Sequence, residues 1–168
     1  MTKRKIYFRA DASASIGYGH FIRTLALADM LKDDFDCTFF TTSPSAYQIE
    51  EMGKVCKYIA LTEETKFEDF INLLNGDEIV VLDNYFFTTE YQRTIMAKGC
   101  KLVCVDDLHN RHFVSDVVLN PALLSISKYD IEPYTKLCLG LEYALLRKPF
   151  IKQSKDVEKV YGRWLLAF

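Results

Sequence analysis

The chain has 168 residues, of which 49% are apolar and 14% aromatic, which is enough to bury a single folded core and excludes a disordered chain. Its 21 basic and 23 acidic residues give a net charge of −2, so composition provides no basic surface for a nucleic acid or another polyanion.

Apolar strand-like runs alternate along the chain with segments of helical period. The predicted strands are 5–10, 37–41, 55–61, 78–82, 102–105 and 117–119. The predicted helices are 19–32, 44–52, 67–74 and 88–98, with Ser43 as the N-cap of the second helix and Pro44 at its first position. This alternation predicts an α/β, Rossmann-like fold, in which a mainly parallel sheet carries helices on both faces.

The amino terminus and the cysteines predict a cytoplasmic protein without a membrane partner. Strand-like residues follow the basic start at 1–5, so no signal peptide is expected, and no window approaches the roughly 18 apolar residues of a membrane span. The five cysteines form no C-x-x-C pair and most lie in apolar runs. Buried, reduced thiols are therefore expected.

The junction between the first strand and the first helix carries the strongest functional signal. Gly17 and Gly19 allow the backbone to approach a ligand closely, and the first amides of the helix favour an anion such as a phosphate. His20 follows at the positive helix end, which disfavours the imidazolium form by about 0.3–1 kcal/mol and favours a neutral base. Ile22 stands where the third glycine of G-x-G-x-x-G would lie, which argues against a nicotinamide or flavin site. The alternative is that the glycines only form a turn and that His20 caps or packs.

The same segment resembles the first motif of the nucleotide-sugar hydrolases of pseudaminic acid biosynthesis, relatives of the spore-coat polysaccharide biosynthesis proteins. The family pattern F-R-A-D-A-x-x-x-I-G-x-G-H-x-x-R is present in full from Phe8 to Arg23. Further similar motifs are D-x-Y at 83–85, the paired aspartates at 106–107, D-x-x-x-N at 116–120 and G-x-x-Y-x-x-L-R-x-x-F at 140–150. The resemblance covers nearly the whole chain.

The resemblance implies the amino-terminal half of a two-domain protein of the glycosyltransferase-B type, related to the glycosyltransferase that makes lipid II. Residues 1–150 would be a Rossmann-like domain carrying the histidine loop. Residues 151–168 would be a linker and the first strand of a carboxyl-terminal domain that is absent from this chain. The alternative is that the last residues form an edge strand of the same sheet.

The resemblance also implies a reaction: hydrolysis of a UDP-linked diacetamido-trideoxy-altrose to UDP and the free sugar, in surface polysaccharide biosynthesis. His20 would be the catalytic base, and no cofactor or metal would be needed. Substrate contacts would come from residues at the carboxyl ends of the strands, namely Asp11, Gly17, Tyr18, Gly19 and Tyr85. Asp11 could instead orient His20 or form a salt bridge with Arg9, and Asp83 with Asn84 could simply form a turn.

Two other functional classes use the same residues. A glycosyltransferase acceptor domain would use His20 on a sugar hydroxyl in place of water. A non-catalytic module that binds sugar nucleotides would not need the histidine for chemistry. Asp106, Asp107, His109 and His112 suggest a metal site only weakly, because no second group of ligands accompanies them.

Overall fold

A computed structural model of the chain describes residues 3–13, 16–122, 125 and 128–147. Within them, an α/β unit begins with β1 (Lys5–Arg9), α1 (Gly19–Leu31), β2 (Asp36–Thr42) and α2 (Ala46–Gly53). It continues with β3 (Lys57–Leu61), α3 (Lys66–Asn72), β4 (Ile79–Leu82), α4 (Thr89–Ala97) and β5 (Lys101–Val105). It ends with β6 (His112–Phe113), β7 (Val117–Asn120), β8 (Asp130–Ile131), β9 (Lys136–Leu139) and a short 3₁₀ turn at Leu141–Tyr143.

Seven strands form one parallel sheet in the order β3-β2-β1-β4-β5-β7-β9. The predicted Rossmann-like α/β class is therefore confirmed. The strand order reverses between β1 and β4, which are direct neighbours. In open parallel sheets this reversal leaves a crevice at the carboxyl ends of the two strands, and ligands bind there.

Alternate side chains of the strands fill two cores, one on each face of the sheet. Phe8 and Val81 pack in a core with Phe21 of α1, whereas Val80 packs on the opposite face with Phe70 of α3. Because both faces of these strands are buried, their sequences are nearly continuous apolar runs. No helix in the described residues is long and apolar enough to cross a membrane.

The cysteines follow the prediction of buried thiols with one partial exception. All five are free; Cys37, Cys100, Cys104 and Cys138 are buried, and Cys56 is half-buried. Burial raises the pKa of Cys100 to about 11, so the thiol form dominates near neutral pH.

The structure corrects two local predictions. The N-cap of α2 is Ser45, not Ser43: Ser45 and Gln48 form a reciprocal capping box, while Ser43 adopts a positive φ of 40° before the helix. The strands β6, β8 and β9 add to the predicted ones: β6 and β8 have only 2 residues each, too few to show a period, and β9 is a run of 4 residues that begins with an exposed lysine. The predicted linker and strand at 151–168 lie outside the described residues.

Candidate functional site

The candidate site lies where β1 and β4 end, at the start of α1. Gly17 adopts a φ of +83°, a conformation that side chains rarely allow, and its amide donates to Ser13 O at 2.8 Å. Tyr18 is the N-cap of α1 and makes no side-chain capping bond. The first turn of α1 therefore begins at Gly19 without a side-chain acceptor from its N-cap, and His20 is its second residue.

Asp83, directly after β4, organises the polar groups of α1. Its carboxylate is fully buried and lies 2.7 Å from His20 Nδ1. The same carboxylate accepts hydrogen bonds from Arg23 Nε at 2.7 Å, Arg23 Nη2 at 2.6 Å and Thr24 Oγ1 at 2.7 Å. These partners stand at i, i+3 and i+4 on α1, which places them on one face of the helix. Asp83 thus connects α1 to the carboxyl end of β4.

The Asp83 contact determines which nitrogen of His20 carries the proton. A carboxylate only accepts hydrogen bonds, so at 2.7 Å the Nδ1 atom must be the donor. Arg23 Nη2, 3.1 Å from Nδ1, is then a close neighbour and not a hydrogen-bond donor to it, since it already donates to Asp83. No described residue is hydrogen-bonded to Nε2 of His20. In the neutral ring, the Nε2 lone pair is consequently available to accept a proton.

Arg23 extends this network to Asp107, which follows β5. Its Nη1 donates to Asp107 Oδ2 at 2.8 Å, so one guanidinium bridges the ends of β4 and β5. Burial would lower the pKa of Arg23, but Asp83 and Asp107 raise it, so the side chain stays charged. This charge compensates the carboxylates of Asp83 and Asp107.

Tyr85 covers one side of the histidine. Its ring centroid is 4.5 Å from that of His20 in an edge-to-face arrangement, and its hydroxyl donates to Asp107 Oδ2 at 3.2 Å. Burial and Asp107 raise the pKa of Tyr85, which keeps this hydroxyl protonated as a donor. The side chain is nevertheless 48% exposed. The structure thus brings His20 and Tyr85 together, with part of the tyrosine open to solvent.

Asp11 has a different environment from the other predicted substrate contacts. It is only 1% exposed, and both of its carboxylate oxygens are bonded to Arg9. Burial would raise the pKa of Asp11, but the Arg9 bond lowers it, helped by the Thr42 amide at 2.8 Å. The geometry therefore shows the salt-bridge alternative. A direct contact of Asp11 with a sugar stays a prediction.

Asn84 links the chain segments that follow β1 and β4. Its Oδ1 accepts from Asp11 N at 2.6 Å, and its Nδ2 donates to Asp11 O at 3.3 Å. These bonds join the two chain segments just beyond the last residues of the strands, so the backbone on both sides of the site is fixed. Asp83 and Asn84 thus do more than form a turn.

Tyr18 lies at the rim of the site. It is 41% exposed, and its ring contacts Tyr47 of α2 at a centroid distance of 6.2 Å. Among the described residues, the Tyr18 ring pairs with the Tyr47 ring and not with the rings of His20 or Tyr85. Its role in binding a substrate, like those of Gly17 and Gly19, stays a prediction.

The side chains that weakly suggested a metal site have separate partners. Asp106 accepts from Tyr129 OH at 3.0 Å, Asp107 faces Arg23, and His112 turns toward β8. In the described part of the chain, no group of three or more histidine, cysteine or acidic side chains could hold a metal ion.

His112 instead forms an ion cluster on the small sheet of β6 and β8. Its Nδ1 is 2.8 Å from Asp130, and its Nε2 is 3.1 Å from Glu132. The Asp130 and Glu132 contacts raise the pKa of His112 above its usual 6.5. A raised folded-state pKa means that the stabilisation is complete below about 6.5 and is lost as the pH rises through the folded-state value.

We therefore expect the unchanged protein to have a larger free energy of unfolding than the His112→Gln variant, with the largest difference near pH 6. The difference should shrink steadily as the pH is raised toward 9. Urea titrations of both proteins across this pH range test the expectation, because the pH dependence that comes from all other groups cancels in the difference. A difference in the free energy of unfolding that does not change with pH would contradict ion pairs of protonated His112 with Asp130 and Glu132.

Sequence reasoning did not assign the groups that hold His20. Arg23 is only the last letter of the first motif, Thr24 is not singled out, and Asp83 is placed at a strand end in the D-x-Y motif, with a turn as the alternative. A local signal existed, because His20, Arg23 and Thr24 have the spacing of one helix face. Their convergence on Asp83, however, depends on β1 and β4 being neighbours, which no local pattern reveals.

Comparison with known proteins adds a relative with an assigned activity. The chain is 30% identical to the UDP-2,4-diacetamido-2,4,6-trideoxy-beta-L-altropyranose hydrolase of Campylobacter jejuni, over 90% of this chain and 55% of the relative. It is 28% identical to an uncharacterized protein of Methanocaldococcus jannaschii, over 91% of this chain and 33% of that protein. No family model matches.

These similarities support a nucleotide-sugar-related, enzyme-like family. The chain spans only about half of the first relative and a third of the second, so the activity of those whole proteins does not transfer directly. Among solved structures, a protein of Parabacteroides merdae aligns with a TM-score of 0.40 and 14% identity, over 63% of this chain and 25% of that one. That likeness is too low to bear on function.

Proposed function

We propose that this chain is the histidine-bearing domain of a UDP-sugar hydrolase, with a UDP-linked diacetamido-trideoxy sugar as substrate. The observation that carries the proposal is the pairing of His20 Nδ1 with the buried Asp83 at 2.7 Å, at the reversal of strand order. This pairing leaves Nε2 without a partner among the described residues, which suits a general base. The similarity to the Campylobacter jejuni hydrolase supports the substrate class.

In the proposed reaction, His20 Nε2 takes a proton from a water molecule as its oxygen attacks the anomeric carbon of the sugar. The bond from that carbon to the phosphate oxygen breaks, and its electron pair leaves with UDP. Attack on the face opposite the leaving group inverts the anomeric configuration. Asp83 stabilises the positive charge that His20 gains, as a carboxylate behind a catalytic imidazole does. No covalent intermediate is needed.

The departing diphosphate requires positive partial charges. The first turn of α1 offers backbone amides, and Gly17 and Gly19 carry no side chains that would block an approaching phosphate. An ideal Cβ at either glycine would have nothing within 4 Å among the described atoms, so space exists on the protein side. We propose that these amides bind part of the diphosphate and that a second domain supplies the remaining contacts.

The chain by itself should therefore bind UDP only weakly, with a dissociation constant of about 1 mM or higher. One helix end without a surrounding basic field cannot hold a diphosphate tightly in water. Calorimetric titration of UDP into the chain tests this expectation. A tight complex with one UDP per chain would contradict a site that is shared with a second domain.

The function itself is tested by measuring UDP release from the UDP-linked diacetamido sugar by the complete gene product. Release in water without any acceptor, with inversion seen by NMR of the fresh sugar product, would support the hydrolase. UDP release that requires an added sugar acceptor would instead indicate a glycosyltransferase. Binding without release would indicate a non-catalytic module.

A further inference from the structure

Arg111 reaches from the loop before β6 to the turn that carries Tyr85. Its guanidinium donates to the main-chain oxygens of Tyr85, at 2.7 Å, and Phe87. One planar group thus holds two carbonyls that stand two residues apart on the same turn. A guanidinium presents its donors in a fixed fork, so the two bonds define both the place and the orientation of the turn.

The Tyr85 side chain has few other contacts that fix its ring. The turn is held at Asn84 by the bonds to Asp11 and at Phe87 by burial in the core. Tyr85, between them, lies outside the helices and strands and is 48% exposed. The hydroxyl bond to Asp107 is long, at 3.2 Å, and the ring contact with His20 is an edge contact. Neither contact is strong enough to hold the Tyr85 ring in one place by itself.

The backbone next to Arg111 is itself held in place. The next residue, His112, begins β6, and its main-chain oxygen accepts from Thr89 Oγ1 at 2.6 Å, at the start of α4. Its ring is held between Asp130 and Glu132. The guanidinium therefore extends from a segment that is tied to both α4 and β8, so it can impose a position on the Tyr85 turn.

We propose that Arg111 is a positioning residue that sets the Tyr85 ring against His20. It acts through the two carbonyl bonds and does not touch the reacting atoms. Any effect of Arg111 on a ligand rests on the proposed function, in which the sugar nucleotide would lie against the Tyr85 ring. The placement of the ring itself does not depend on what the ligand is.

The placement can be observed through His20, because an aromatic ring 4.5 Å away displaces the NMR signals of the imidazole C–H groups. The chain has three histidines, so histidine labelled with ¹³C gives a simple spectrum, assigned with His109→Gln and His112→Gln. Tyr85→Leu removes the ring and defines the undisplaced positions. We expect Arg111→Met to move the His20 signals at least halfway to those positions, and Arg111→Lys to move them less. Arg93→Met, at an exposed arginine of α4, is the matched control and should leave them in place.

Unmoved His20 signals in a folded Arg111→Met chain would overturn the proposal. So would the loss of the overall fold in both Arg111 variants while Arg93→Met stays folded, because Arg111 would then support the domain and not the turn. Binding of UDP, a product of the proposed reaction and here the probe, is followed on the same signals and separates the positioning role of Arg111 from the proposed function. If the signals move as expected in Arg111→Met but the probe never binds even to the complete gene product, the positioning role stands and the proposed function fails.

Discussion

His20→Asn should lower the turnover number for UDP release by about 10²–10⁴, the usual contribution of a general base. The complete gene product is the protein to assay. The Michaelis constant should change far less, because the backbone amide of residue 20 remains and the rest of the ligand surface is untouched. We expect the fold to persist, since Asp83 keeps its hydrogen bonds from Arg23 and Thr24.

His109→Asn is the matched control for this experiment. His109 also lies near the carboxyl ends of the strands, but its ring packs against Tyr129 at a centroid distance of 6.0 Å, away from Asp83. Its replacement should leave turnover within a few-fold of the unchanged protein. Full turnover in His20→Asn would mean that the histidine is not the base, and that the glycines and His20 merely shape a turn.

Much of the fold was predictable because buried parallel strands leave a strong local signal. The prediction for β1 ended one residue past the observed Arg9, and that for β4 began one residue early. The Ser43 error has an equally local cause, since the rule for proline at the first helical position outweighed the S-x-x-Q spacing of Ser45 and Gln48. The spacing was the better guide, because it satisfies two backbone groups at once.

Only the part of the site that lies in one continuous sequence motif was predictable. His20 stands beside glycines in one continuous motif, so the sequence displays it. The groups around it come from separate strands: Asp83 lies 63 residues from His20, and Arg23 lies 84 residues from Asp107. Their meeting follows from the order of strands in the sheet, which depends on packing across the whole domain. The paired aspartates illustrate this, because Asp107 turns to Arg23 while Asp106 turns to Tyr129.

Asp83→Asn should have the largest combined effect on stability and activity. The carboxylate is fully buried and accepts from His20, Arg23 and Thr24. An amide presents two donor hydrogens and only one acceptor oxygen to these donors. Removing one partner of a buried ion pair costs about 3–5 kcal/mol, and we expect about 3 kcal/mol here, because Arg23 is 22% exposed and keeps Asp107. Urea denaturation measures this loss.

The activity loss in Asp83→Asn has a separate cause, which is the tautomer of His20. The side-chain amide that this substitution introduces can donate to Nδ1, which would move the ring proton to Nε2 and remove the lone pair that accepts a proton from water. The corresponding change behind the catalytic histidine of serine proteases lowers turnover by about 10⁴, and a loss of about 10²–10⁴ is expected here. The ¹⁵N shifts of His20 should report the exchange of the protonated nitrogen, which a purely structural defect would not produce.

Asp107→Asn separates these two effects, because it removes a partner of the same Arg23 without touching His20. Asp107 Oδ2 accepts from Arg23 at 2.8 Å and Tyr85 at 3.2 Å, and its side chain is 30% exposed. Its replacement should lower stability less than Asp83→Asn and leave the proton of His20 on Nδ1. If Asp83→Asn kept both that tautomer and the original turnover, the carboxylate would only support the fold. The chemistry would then have to be assigned to groups other than the His20–Asp83 pair.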